Sequence, residues 1–262
     1  MDYKLKDKVA IIGGGSKGLG KACAMSLAKE GVNIVLCARN EETLEETSKK
    51  IKFFGVDVLP LSVDMSNEDD NNRIVKETIE RFGRVDILVN NSGGPAPGSF
   101  RDFTMESFDY AYQSVLRYNI NMIKLCLPYM EEKQWGRIIN ITSMAVKEPS
   151  ETMVLSNIFR TAVVSFAKTI SKDIMGKGVT INNICPGYFR TDRITELMEK
   201  EAGDANVSRR EYEQEVMAGL PHKRFMSPDE LGDMVAYLCS PQARSITGTS
   251  IQIDGGVNSG LF

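Results

Sequence analysis

The sequence has little of the residues that most often announce a chemistry. Of 262 residues one is histidine, His222, and nothing near it in sequence can join it as a metal ligand or in a Ser-His-Asp arrangement. It reads as a surface structural residue, and no metal site is expected. There are five cysteines, Cys23, Cys37, Cys126, Cys185 and Cys239, scattered among apolar neighbours. An odd, scattered set argues against a disulfide framework and for buried reduced thiols in a cytoplasmic protein. No apolar run approaches a membrane span, and the segment Met1–Lys8 is too charged for a signal peptide. Neither sign of charge is in large excess. A net charge of −3, with acids and bases interspersed, leaves no footprint for nucleic acid or an anionic membrane. No linker or break in composition divides the chain. At 42% hydrophobic it can bury a sizeable core, so 1–262 is expected to be one domain.

What is present starts with an apolar strand, Val9–Ile12, that runs into a glycine-dense turn, Gly13 to Gly20. A helical pattern follows, with Ala22, Met25, Leu27 and Ala28 on one face. Glycines serve where a chain turns tightly and where backbone must lie against a ligand without a Cβ. The free N–H groups and positive dipole end of the new helix favour a phosphate. Gly13-x-Gly15-x-x-Gly18 fits the general dinucleotide fingerprint, in the strand-before, helix-after context the motif requires.

Further along, Asn33–Ala38 reads as the second strand. A fold that prefers NAD usually ends this strand on an acid that holds the ribose 2′-hydroxyl. Here the strand ends at Ala38-Arg39, and Lys17 faces the same ribose from the turn. Two cations and no carboxylate favour a 2′-phosphate, hence NADP(H) over NAD(H); the alternative is two solvated surface cations. Residues 41–53 read as a helix and 56–63 as a strand. Asp64 either caps the helix from Asn67 to Phe82 or bonds an adenine amino group. The fourth strand, Val85–Val89, exits into Asn90-Asn91-Ser92-Gly93-Gly94, which is either a crevice lining or an ordinary turn. A helical region over 105–133 is expected to break or end near Pro128. The fifth strand, 136–143, ends on the hydroxyl of Ser143. A helix over 153–175 and a strand over 179–184 lead to Pro186-Gly187. Residues 194–225 are amphipathic, and 188–225 reads as a cover over a substrate pocket or as a plain surface helix pair. A helix over 229–238 and a strand and turn over 250–256 complete the chain. Strands alternating with helices argue for an α/β protein, a single Rossmann-type doubly wound parallel sheet with helices on both faces.

Nearly the whole chain resembles the short-chain dehydrogenase/reductases, in the style of the 3-oxoacyl-carrier-protein reductases. The resemblance rests on Gly14-x3-Gly18-x-Gly20, Asp64, Asn90-Asn91-Ser92-Gly93, the strand from Ile138 to Ser143, Pro186-Gly187 with Thr191, and Asp254-Gly255-Gly256. It implies a nicotinamide cofactor, a small carbonyl or alcohol substrate and a homodimer or homotetramer. The residues it implies at the cofactor are Gly14, Ser16, Lys17, Gly18, Leu19, Gly20, Arg39, Asp64, Met65, Asn90, Asn91, Ser92, Gly93, Arg160, Pro186, Gly187 and Thr191.

At the catalytic positions the sequence departs from the pattern. The family uses a serine, a Tyr-x-x-x-Lys pair and an asparagine on the preceding long helix. Ser143 stands at the serine position. The tyrosine position falls on Ser156 and the lysine position on Arg160; the helix asparagine falls near Val115 or Leu116, one turn from Asn119. Carbonyl reduction needs a hydride and a proton, and a phenol with a lowered pKa is a suitable proton donor. A serine hydroxyl is a far weaker acid. An arginine keeps its proton, though it can bond ribose hydroxyls or stabilise an oxyanion. Ser143 is then expected to hold the carbonyl oxygen, Ser156 to orient substrate and Arg160 to supply positive charge. Tyr188, Lys147 or a water would supply the proton, with Glu148 also in reach. A second expectation is a catalytically silent, NADP(H)-binding sensor or regulator; a third is another chemistry in the same pocket.

Overall fold

The computed structural model describes residues 2–261. Val9–Gly13 forms β1, Gly18–Lys29 α1, Asn33–Ala38 β2, Glu41–Lys52 α2, Val58–Ser62 β3, Glu68–Phe82 α3 and Ile87–Asn90 β4. Then come α4 at Met105–Ala111, α5 at Tyr118–Glu132, β5 at Gly136–Ile141, α6 at Val154–Met175 and β6 at Val179–Pro186. Asp192–Asp204 is α7, Arg209–Gly219 α8, Pro228–Cys239 α9 and Ser250–Ile253 β7. The strands make one parallel sheet in the order β3-β2-β1-β4-β5-β6-β7. The order reverses beside β1, so the carboxyl ends of β1 and β4 part there and open a crevice.

Successive strand side chains alternate between the faces, and both faces are covered. Ala10, Ile12, Ile34, Leu36, Val89 and Ile139 pack under α1, α2 and α9. Val9, Ile11, Val35, Leu88, Ile138 and Ile181 pack under α3, α5 and α6. This two-sided burial explains why the strands read as unbroken apolar runs.

Three expectations are corrected. Pro128 lies inside α5, on its exposed side, where water can satisfy the carbonyl it leaves unbonded. The irregularity in the long helix comes earlier, as a π-turn over Tyr112–Arg117, where Asn119 Nδ2 holds the Val115 carbonyl at 2.7 Å. Asp64 does not cap α3. Asn67 does, accepting from the N–H groups of Asp69 and Asp70, while Asp64 accepts from the N–H and hydroxyl of Ser66. His222 is not a free surface side chain. Its ring fills the space left by Gly255, at φ 68°, and both ring nitrogens are buried without a partner. The five cysteines are buried and free. Among the described residues, no helix is long and apolar enough to cross a membrane.

Candidate active site

The crevice begins at the glycine turn. Gly14 and Gly18 take φ of 55° and 56°, a region in which a Cβ is strained. A Cβ on Gly20 would run into the Gly14 carbonyl, so glycine there lets α1 begin directly against the turn. Lys17 precedes α1 in extended conformation and its side chain does not cap the helix. The first N–H groups of α1 are therefore available to an anion. Ser16 is nearly buried and its carbonyl is held by the Thr47 hydroxyl at 2.9 Å. Leu19 packs against the core below.

Around this turn the structure gathers most of the residues expected from sequence. Asn91 Nδ2 donates to the Gly13 carbonyl at 3.1 Å, locking the β4 exit to the β1 exit. The Thr191 methyl lies 3.6 Å from the point where a Gly18 Cβ would stand. Thr191 also caps α7, its hydroxyl accepting from Ile194 N–H. Lys17 Nζ lies 3.4 Å from the Asp192 carboxylate, both side chains exposed. Arg39 is exposed at the end of β2, and its charge reaches Asp64. Burial pushes the Asp64 carboxyl up, but the Ser66 hydrogen bonds and Arg39 outweigh it and hold the group below the usual range. Gly187 N–H donates to the Ile253 carbonyl at 2.9 Å, and a side chain on Gly187 would strike the Asp254 backbone. Pro186 closes β6 beside it. Ser92 and Gly93 form the rim, Gly93 at φ 82°.

Two expected cofactor residues are turned elsewhere. Asn90 is 1% exposed and donates to Asn140 Oδ1 at 3.0 Å; Asn140 in turn donates to Asn183 Oδ1 at 2.9 Å, and Asn183 to Ser250 Oγ at 3.2 Å. The pairing register sets these residues opposite one another on β4, β5, β6 and β7. The Asn90 side chain thus belongs to a buried amide ladder within the sheet and does not face the crevice. Met65 is 7% exposed and packs into the core beneath Gly13.

On the far side of the crevice, Ser143 Oγ accepts from Ala145 N–H at 3.1 Å, which fixes the side chain and leaves its own proton to donate. Arg160, half-buried on α6, donates from Nη1 to the Ile141 and Thr142 carbonyls and from Nη2 to the Gly93 carbonyl, each at 2.7 Å. It ties the exits of β4 and β5 together. Burial first, and the nearby Arg193 second, pull it down to about 10, so it stays a cation at neutral pH. Ser156, in the first turn of α6, is 3% exposed. Lys147 is half-buried after the turn Met144–Val146, and its charge reaches the Cys185 thiol at the end of β6. Glu148 accepts from Ser259 N–H at 3.3 Å. Tyr188 faces another way. Its ring lies 6.3 Å from that of Phe225, in the apolar cluster formed by α7, α8 and the segment after them. Burial, then Glu201, raise its phenol, which makes it a weaker acid.

Known proteins share this sequence pattern and fold over nearly the whole chain. The family model described as enoyl-(acyl carrier protein) reductase matches residues 14–258. NADPH-dependent reductase BacG of Bacillus subtilis is 31% identical over 254 residues, covering 96% of this chain and 98% of that protein. The crystal structure of L-sorbose reductase from Gluconobacter frateurii, complexed with NADPH and L-sorbose, superposes with a TM-score of 0.95 at 30% identity and covers 100% of both chains. A putative ketoacyl reductase of Streptomyces coelicolor is 31% identical over 258 residues, covering 96% of this chain and 97% of that protein. The chain belongs to the short-chain dehydrogenase/reductase family. The seven-stranded parallel sheet with helices on both faces is the fold it shares with the solved relatives. Arg193 and the Asn140–Asn183 pair escaped the sequence reading. Arg193 gave no signal in sequence beyond lying two residues after Thr191.

Proposed function

We infer that the protein is an NADP(H)-dependent oxidoreductase that acts on a carbonyl/alcohol pair through an atypical site. The observation that carries this is the glycine turn at the exit of β1 with its uncapped α1 N-terminus, on the same edge of the sheet as Ser143 beyond β5 and the Arg160 cation that bonds the exits of β4 and β5. NADP(H) fits the residues present: the α1 N-terminus takes the pyrophosphate, and Lys17 and Arg39 take the 2′-phosphate with no acid in competition at the end of β2. When bound it supplies or accepts the hydride. Asn91 keeps the crevice open by holding Gly13, and Pro186, Gly187 and Thr191 flank the nicotinamide end.

Ser143 donates to the substrate oxygen, already oriented by Ala145 N–H. Ser156 and Arg160 replace the family's tyrosine and lysine. Arg160 places positive charge beside that oxygen while its hydrogen bonds keep the pocket wall in place. Ser156 has no means of giving up a proton at neutral pH. The proton is then best assigned to a water near Lys147, because the Tyr188 phenol is raised and packed in the α7–α8 cluster. The whole chain, 1–262, acts as one nucleotide-binding domain with 188–225 as its lid, in a cytoplasmic homodimer or homotetramer.

The test is a fluorescence titration with NADPH and NADH, followed by NADPH oxidation over a panel of carbonyl compounds. Tight NADPH binding with turnover of any member is expected. A preference for NADH would overturn the assignment of Lys17 and Arg39. One observation favours a second reading, a silent NADP(H) sensor: the Arg160 guanidinium is engaged by three carbonyls, and Ser156, at the position read as the family's tyrosine, is buried. Tight binding with no turnover would favour it.

A further inference from the structure

Two guanidiniums stand at the exit of β4 with no carboxylate to answer them. Arg160 comes from α6. Arg193 comes from the first turn of α7 and donates from Nη2 to the Pro95 carbonyl at 2.7 Å. Each sets its Nη2 3.5 Å from the point where a Gly94 side chain would begin. Glycine at that position leaves a small space walled by two like charges.

Acids of the neighbouring segments are already engaged. Asp192 pairs with Lys17, Asp254 accepts from the N–H groups of Gly256 and Asn258, and Glu148 accepts from Ser259. Among the described residues, the only hydrogen bonds from the Arg160 and Arg193 side chains go to main-chain carbonyls. A guanidinium carries five N–H donors in a planar fork, and Arg193 directs one of them to Pro95. Two close cations with donors to spare are balanced by a planar anion, which a carboxylate matches in charge and shape. On the other side of Pro95 lies a largely apolar cavity of about 360 Å³, lined by Ala96, Phe103, Tyr110 and Leu155, the last adjacent to Ser156, with Ser107 and the exposed Glu106, whose carboxylate is bonded by the Thr104 side chain, also in its wall.

We propose that the space above Gly94 is the subsite for an anionic substrate, an oxo acid whose carboxylate sits between Arg193 and Arg160 and whose apolar body lies in the Pro95–Leu155 cavity. This rests on the oxidoreductase reading. In the reduction the carbonyl carbon takes a hydride from NADPH and the oxygen a proton from water, giving the hydroxy acid and NADP⁺.

The test is calorimetric titration of the protein saturated with NADP⁺, a complex in which no reduction can occur. The probes are 2-oxohexanoate and 3-oxohexanoate, each against its methyl ester. An acid should bind at least about tenfold more tightly than its ester, a ratio that Arg193→Gln brings close to one and Arg193→Lys keeps in part. Gly94→Asp puts a carboxylate into the gap and should abolish the preference by itself. Equal binding of acid and ester by the parent would overturn the proposal. So would an unchanged ratio in Arg193→Gln accompanied by a tenfold loss of NADP⁺ affinity, because the anion served would then be the cofactor's pyrophosphate. The two readings fail separately. A clear acid preference without NADPH oxidation removes the oxidoreductase and leaves the subsite, whereas turnover of neutral ketones with equal binding does the reverse.

Discussion

Arg160 is a strut between the exits of β4 and β5. Its guanidinium reaches three carbonyls at 2.7 Å, and Arg160→Met would leave acceptors unpaired in a half-buried place at a cost of about 3 kcal/mol. A fall in the urea midpoint at unchanged slope would show it; an unchanged midpoint would mean that water replaces the strut. The same residue frames the chemical question. Ser156→Tyr with Arg160→Lys would install the tyrosine and lysine that the proposed reading assigns to these two positions, but a lysine has one ammonium where the arginine has a fork. If the site works as it stands, the parent turns over carbonyl substrate and the double variant loses that activity. Activity gained by the variant from a silent parent would instead mark the altered pair as the cause of silence. At the other end of the crevice Lys17→Ala should raise the NADPH dissociation constant about tenfold and leave NADH unchanged. A fluorescence titration that moved both equally would assign Lys17 to the pyrophosphate or to Asp192.

Between elements, the amide ladder from β4 to β7 is the feature with the clearest energetic content. Asn140 is its centre, accepting from Asn90 and donating to Asn183 inside the sheet. Asn140→Leu would strand a donor on one side and an acceptor on the other, costing about 3 kcal/mol or more. Chemical denaturation measures it, and a cost below about 1 kcal/mol would mean that a buried water takes over the ladder. The ladder also shows where sequence reading runs out. Helices and strands were legible because apolar spacing and turn residues are local: β2 was read at its observed limits, and α2, α3, α6 and α9 within a residue or two. Partners 50 and 43 residues apart depend on parallel register, which no local pattern records. Asn90 was therefore assigned to the crevice when its side chain belongs to the sheet. Pro128 misled for the opposite reason, because a strong local breaker is tolerated on an exposed helix face. In the site, the glycine turn was legible from its motif. The Arg160–Arg193 pair was not, because only the fold brings α6 and α7 to the same glycine.

At the scale of the whole molecule, the buried thiols set a limit on alkaline stability. Burial raises all five: Cys126 and Cys239 are pushed up to about 12, and Cys23, Cys37 and Cys185 also move upward. A thiol in the unfolded chain ionises near pH 8.5, whereas these remain protonated in the folded state. Above that pH the native state binds more protons than the unfolded state, so stability falls as pH rises, by up to about 1.4 kcal/mol per unit for each thiol. The buried Tyr118 phenol, also raised, acts in the same direction above about pH 10. Lys8, Arg137 and Arg160, each lowered by burial, act in the opposite direction but are three groups against five thiols, and the two guanidiniums act mainly at the top of the range. The sum is several kcal/mol per pH unit, against a total of about 5–15 kcal/mol for a folded protein. Urea midpoints measured under a reducing agent should therefore hold steady to about pH 8 and drop steeply by pH 10. Replacing Cys126 by alanine should make that fall shallower by one thiol's share even though the cavity lowers stability at pH 7, because the two effects have different pH dependences. A midpoint flat from pH 8 to 10 would mean that the thiols ionise in the folded state, which five buried cysteines, four of them packed in the core layers on the two faces of the sheet, do not favour.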